Sequence, residues 1–323
     1  MRRVLLLLAL LSAAPACTYQ PIVADAPENY GSAIPEPEPE DWESKLPAQI
    51  ADVHAAVVEW RNFEHAKAAG WKAFGGDEPL MGQHYYNDAA PDYQYGDPLD
   101  FSRPNNLMYT RIDGRMVLTG VAFVVRIGAE EPLPAGFAGP RDEWHVHDLL
   151  TAINAATEDR PFVRSLAKWW LDGTYFKQGD YRHRLAMVHV WTEAPNPDGP
   201  FASYDRTLPY RKLGLPASYA DGVSLDTARG VNLASDDACK HLIEGRAWIA
   251  NFKRSQKRQL LKACEANAAR VSNALDSDPA SLNRVASIAW ADYRAVYETV
   301  VSTEQRARIA AMTEHDHGHP QQH

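Results

Sequence analysis

The residues best suited to chemistry are histidines. Glu143–Leu150 reads "EWHVHDLL", with His145 and His147 alternating about a valine. In a β-strand, residues i and i+2 point to the same face, with Cβ atoms about 7 Å apart. Two imidazoles at that spacing can meet one ion, and a neighbouring strand about 4.8 Å away can add a third nitrogen. His189, within the apolar run "LAMVHVW", has the setting for that third place. Leu185, Met187, His189 and Trp191 share one face of such a strand, and a polar ring there needs a partner. His84, in "MGQHYYN", is the fourth candidate. It is expected on a glycine-containing loop, where Tyr85, Tyr86 or Asn87 can hold its second ring nitrogen. Trp191 and Asn196 are the corresponding neighbours of His189.

An all-imidazole set suits zinc, copper or nickel, and suits magnesium or calcium poorly; copper or zinc is the ion expected here. Three ligands leave an open position able to activate water, whereas four close the site. On a regular strand Glu143 falls on the face of His145 and His147, as a base or an extra ligand, and Asp148 falls on the other. The chain contains no HExxH, GxSxG or Walker sequence, so no reaction is named by motif. His54 and His65 lie on one expected helix, separated by about 16 Å of helix rise, too far for a shared mononuclear site. The terminal "HDHGHPQQH" alternates His315, His317 and His319, a composition suited to weak metal capture.

These histidines must be positioned by a mixed fold, and an α+β class is expected: an antiparallel-sheet core with flanking helices, then a helical C-terminal region. "NLMYTRIDGRMVLTGVAFVVR" sets Asp113-Gly114 between two β-rich runs, a strong hairpin signal. Its second arm is apolar on both faces, as in a central covered strand. Residues 47–70 are spaced for a helix stopped at Gly70, and residues 160–173 for a shorter one. Past residue 235 the pattern is helical, with Asp278-Pro279 as one helix start and a capping box from Ser302 to Gln305.

The N-terminus reads as an export signal. Residues 1–16 carry Arg2 and Arg3, a short apolar stretch and a small-residue cleavage site. Cleavage before Cys17 is the bacterial lipoprotein arrangement. It makes Cys17 the lipidated residue and membrane anchor, and Thr18 directs sorting to the outer membrane. Ordinary cleavage, releasing a soluble periplasmic protein, is the alternative. Residues 17–45, rich in Pro and Glu, read as an extended tether. Residues 46–225 then form the α+β metal-binding domain, 226–312 the helical region and 313–323 the His-rich tail. In an oxidising compartment the two remaining cysteines, Cys239 and Cys264, pair as a disulfide. A net charge of −9 gives no electrostatic case for nucleic acid.

"MGQHYYN" and "MVHVWTEAPNPDGPFASYD", with Trp144–His147, resemble a family of exported bacterial proteins carrying GxHY, WHxH and HVW…NPxGxFA motifs over roughly residues 46–205. The resemblance implies a shared site at His84, His145, His147, His189, Asn196 and Gly199, and no particular reaction. "STEQRARIAAM" resembles one segment of Spy/CpxP-type periplasmic proteins, some of which respond to envelope stress and metals. Three functions follow as expectations: an exported metal-binding lipoprotein, a periplasmic metalloenzyme (zinc hydrolase or copper oxidoreductase), and a non-metal envelope protein whose helical region binds a partner.

Overall fold

The computed structural model describes residues 42–158, 160–174, 184–193 and 195–312. Cys17 and the rest of the export segment lie outside these, as do His315, His317 and His319.

The chain folds as α+β, with a sheet of seven strands among the described residues. Along it the order is β1 (Lys72–Glu78), β2 (Gly82–Tyr86), β4 (Asn106–Ile112), β5 (Arg115–Ile127), β7 (Arg184–Trp191) and β6 (His145–Asp148), all pairing antiparallel. The two-residue β3 (Tyr93–Gln94) pairs parallel with the end of β5. The β4–β5 turn is the expected hairpin. Asp113 and Gly114 both have positive φ, 49° and 72°, a pairing whose twist matches that of the flanking strands.

The segment expected as one helix up to Gly70 is two. α1 (Trp42–Val57) continues into a short 3-10 turn, and α2 (Phe63–Ala68) starts afresh. Asn62 makes the break, because its extended backbone lets its side chain accept from His65 N–H. α1 also begins inside the stretch expected as tether, at Trp42, with Leu46 buried. Helix α3 (Leu149–Ala156) follows β6 without a loop, since Asp148 accepts from both the amide and the hydroxyl of Thr151 and so caps it. α4 (Pro161–Thr174) runs through Gly173 instead of stopping there.

The helical half comprises α5 (Leu208–Lys212), α6 (Leu225–Asn232), α7 (Ala238–Ile249), α8 (Arg254–Ser277), α9 (Leu282–Val300) and α10 (Thr303–Met312). Asp278-Pro279 opens a 3-10 turn ahead of α9, and the helix proper starts at Leu282. The Ser302–Gln305 box forms reciprocally, at 3.1 and 3.2 Å. Cys239 and Cys264 form a disulfide that ties α7 to α8.

The sheet is covered on both faces. Leu107, Tyr109, Val121, Phe123, Val188 and Val190 form one apolar layer with Val53 and Val57 of α1. The other face turns toward the helical half. Leu185 and Val124 pack there on Ile153 and Ala167, and Met108 and Trp191 pack on Leu208. The histidines occupy this second face, between those two patches.

Candidate functional site

Strand register puts all four histidines on one face. His84 pairs with Met108, which pairs with Gly120. Ala122 pairs with His189, Met187 with His145, and Leu185 with His147. Because side chains alternate, this one row carries every histidine of the candidate set. His84 lies in β2 and not in the expected loop, so its side chain direction is set by the ladder.

The middle of the row holds the two smallest residues, Gly120 and Ala122. Their size lets the His84 ring of β2 and the His189 ring of β7 approach each other across β4 and β5. A Cβ on Gly120 would lie 2.4 Å from the Val190 carbonyl oxygen and 2.8 Å from Met108 Cε, so no larger residue fits without moving backbone.

Over that gap His84 Nε2 and His189 Nε2 stand 3.2 Å apart. The His145 ring centroid lies 4.8 Å from that of His189 and 5.0 Å from that of His147. His84, His145 and His189 are buried, and His147 is partly buried. Burial lowers the His84 pKa to about 4. Burial, then the proximity of His84, lowers His147 to about 4 as well. Both rings are therefore neutral at pH 7, the state a metal ligand requires.

The tautomer of His189 follows from its other nitrogen. Nδ1 stands 3.0 Å from the Ser203 carbonyl oxygen, which can only accept, so Nδ1 carries the proton and Nε2 presents a lone pair toward His84. This is the orientation that a carbonyl partner imposes on metal-binding imidazoles. In tetrahedral coordination, bonds of about 2.0–2.1 Å put ligand nitrogens roughly 3.3–3.4 Å apart. The observed 3.2 Å is close to that spacing. Among the described residues, no group of three or more His, Cys, Asp or Glu side chains converges on one ion position. The convergence is pairwise, with two further rings in contact range.

The remaining sequence candidates fall into two groups. Trp191 Nε1 donates to the Ala202 carbonyl at 2.6 Å, and Asn196 Nδ2 donates to the Tyr204 carbonyl at 2.7 Å. With His189 they hold three consecutive carbonyls of one loop. Glu143 completes the brace by accepting from Ser203 N–H at 2.9 Å, so its carboxylate positions the loop that orients His189. Gly199, with φ +114°, closes the turn between Asn196 and that loop.

Tyr85 and Asn87 lie elsewhere. Tyr85 faces the opposite apolar layer and donates to Gln83. Asn87 donates to the Ala69 carbonyl and accepts from Ala89 N–H, locking the end of α2 to β2. Sequence reasoning passed over Ser203, Gly120 and Met108. A carbonyl acceptor leaves no residue-type signal, and a glycine in an apolar run reads only as a possible bulge.

Comparison with family models, with curated proteins and with solved structures finds no match to this chain.

Proposed function

We propose that this chain is an exported lipoprotein that binds copper or zinc through His84, His145, His147 and His189, in metal handling at the periplasmic side of the bacterial envelope. The observation that carries the reading is the His84–His189 pair. Two imidazoles face each other nitrogen to nitrogen at 3.2 Å, one of them oriented by a backbone carbonyl. His145 and His147 are the proposed third and fourth ligands, since the His145 ring lies 4.8 Å from that of His189 and the His147 ring 5.0 Å from that of His145. Neutral nitrogen donors on a buried face favour these metals over calcium or magnesium.

Handling fits the site better than hydrolysis does. A cavity of about 200 Å³ opens at the turn between β1 and β2, and none of the four histidines lines it. Three of the four rings are buried, which suits a closed, fully ligated ion.

The test is metal content and calorimetric titration of the purified protein, wild type against the double variant His84→Phe/His189→Phe. The expected result is one equivalent of zinc(II) or copper(II) in the wild type and none in the variant. Equal binding by both, or none by either, refutes the reading. Truncation after Glu314 separates the tail, because tight binding is expected to survive it. Export and anchoring are tested by fatty-acid labelling, which Cys17→Ser is expected to abolish.

A further inference from the structure

The histidine face carries a second kind of donor. Met108 is the cross-strand partner of His84, and Met187 is the cross-strand partner of His145. Met187 also lies two residues from His189 on β7, so alternation puts both thioethers on the side of the imidazoles. Directly paired residues have Cβ atoms about 5 Å apart, a gap that a methionine side chain spans. One thioether thus lies beside His84, and the other lies beside both His189 and His145.

Both methionines are buried, at 0 % and 2 % exposure. Met108 extends toward β5: its Cε lies 2.8 Å from where a Cβ on Gly120 would be, at the gap that His84 and His189 close with their Nε2 atoms. Met187 stands on β7 between the two apolar patches of that face, one at Leu185 and the other at Trp191. The opposite face of the same strands is filled over the same span by Leu107, Val121, Val188 and Val190. Branched aliphatic side chains therefore suffice to pack this sheet, and the flexible, polarisable thioethers stand where the rings are.

Sulfur changes which ion the face prefers. Thioether sulfur is a soft, uncharged donor that suits copper(I). Zinc(II), a borderline ion, takes its sulfur as charged thiolate. Charge points the same way. Imidazole binds metal in its neutral form, so neither kind of donor offsets the charge of an ion. The Born cost of burying an ion grows as the square of its charge, about fourfold from a monovalent to a divalent ion. A buried face of neutral donors is therefore easiest for a monovalent ion to occupy.

Resting on the histidine reading above, we infer that the ion is copper(I), held by the imidazoles together with the Met108 and Met187 thioethers. The test uses the full chain carrying Cys17→Ser, which removes the one thiol outside the disulfide. It is titrated without oxygen against a chromogenic chelator, with copper(I) in ascorbate and separately with zinc(II). Met108→Leu/Met187→Leu nearly conserves side-chain volume, so the packing survives it. This double variant is expected to weaken copper(I) binding at least tenfold and zinc(II) binding less than twofold. Unchanged copper(I) affinity, or equal losses for the two ions, overturns the inference and leaves the histidine reading standing. Binding of neither ion by the protein with both methionines overturns the two together. Should the double variant fail to fold, copper-edge X-ray absorption on the copper(I)-loaded parent decides: sulfur in the first coordination shell is expected, and a shell of nitrogen alone refutes it.

Discussion

Gly120→Ala is the sharpest probe of how this sheet builds its histidine row. The added methyl would sit 2.4 Å from the Val190 carbonyl oxygen, 2.8 Å from Met108 Cε and 3.1 Å from Trp191 Cα. Carbon contacts are comfortable near 3.5 Å, so β5 and β7 must part locally by roughly 1 Å. Met108 can swing away, but the Val190 carbonyl and Trp191 Cα are backbone. The cost belongs at the upper end of overpacking, about 3 kcal/mol. For a chain of this size that lowers Tm by roughly 4–5 °C in a thermal melt followed by circular dichroism. Because Val190 adjoins His189, the same shift moves His189 Nε2 off its 3.2 Å approach to His84. Zinc or copper affinity is expected to fall at least tenfold. Leu118→Ala is the comparator: it empties a buried site on the opposite face, at about 2–4 kcal/mol, without touching the row. Wild-type Tm in Gly120→Ala refutes the steric reasoning. Equal loss of metal affinity in the two variants refutes the geometric one.

Three further outcomes are expected. Reducing Cys239–Cys264 opens a loop of 25 residues' separation, which is worth about 3.5 kcal/mol by chain entropy; denaturant melts with and without reductant measure it. Glu78→Gln stabilises the protein at pH 8 but not at pH 4. The native carboxyl titrates near 8 against an ordinary 4.5, so wild-type stability is full below 4.5 and falls as pH rises toward 8. A fully desolvated shift of that size would be worth about 5 kcal/mol, and the partial exposure of Glu78 reduces it to roughly 2 kcal/mol in paired urea melts. Asn196→Ala removes the bonds to the Tyr204 carbonyl and the Asp198 amide, costs about 1–2 kcal/mol, and speeds hydrogen exchange at the 198–205 amides; unchanged exchange there would detach Asn196 from the loop.

The parts legible in the sequence were those set by local period. The Asp113-Gly114 turn, the two-face apolar run of β5, the alternation around His189 and the Ser302–Gln305 box all depend on neighbours within a few residues. Cys239–Cys264 was legible by elimination. What escaped depends on contacts distant in the chain. Asn62 breaks the first helix because its side chain finds the His65 amide, a competition that alanine-rich spacing conceals. His84 read as a loop residue because Gly82 stands two residues before it, yet Gly82 opens the strand and is required there: a Cβ on it would meet the Tyr109 carbonyl at 2.6 Å. Tyr85 and Asn87 are adjacent to His84 in sequence, but alternation sends Tyr85 to the other face and the helix end takes Asn87. Glu143 lies ahead of β6, which starts only at His145, so strand alternation does not set its direction; a peptide amide, Ser203 N–H, occupies its carboxylate.

One bond of His189 explains a structural role, and a second does not. Three carbonyls in succession, Ala202, Ser203 and Tyr204, are taken by Trp191, His189 and Asn196, so a loop clamp accounts for the imidazole Nδ1. A clamp needs nothing from Nε2. Yet β5 gives up its side chain at Gly120 and keeps only a methyl at Ala122, so that His84 can reach that nitrogen from three strands away. His145 and His147 add two more rings to a face where apolar residues of the same volume would pack without any desolvation cost. A row of imidazoles on a buried face loses to an apolar row on stability alone, since each ring nitrogen must be matched. A cation reverses the comparison, because it takes as ligands the lone pairs that the rings otherwise have to match with polar partners. The prediction that separates the two is a stability measurement: substituting His84 and His189 together by Phe leaves the metal-free protein as stable as the wild type or more so, and removes the Tm increase that zinc or copper gives the wild type.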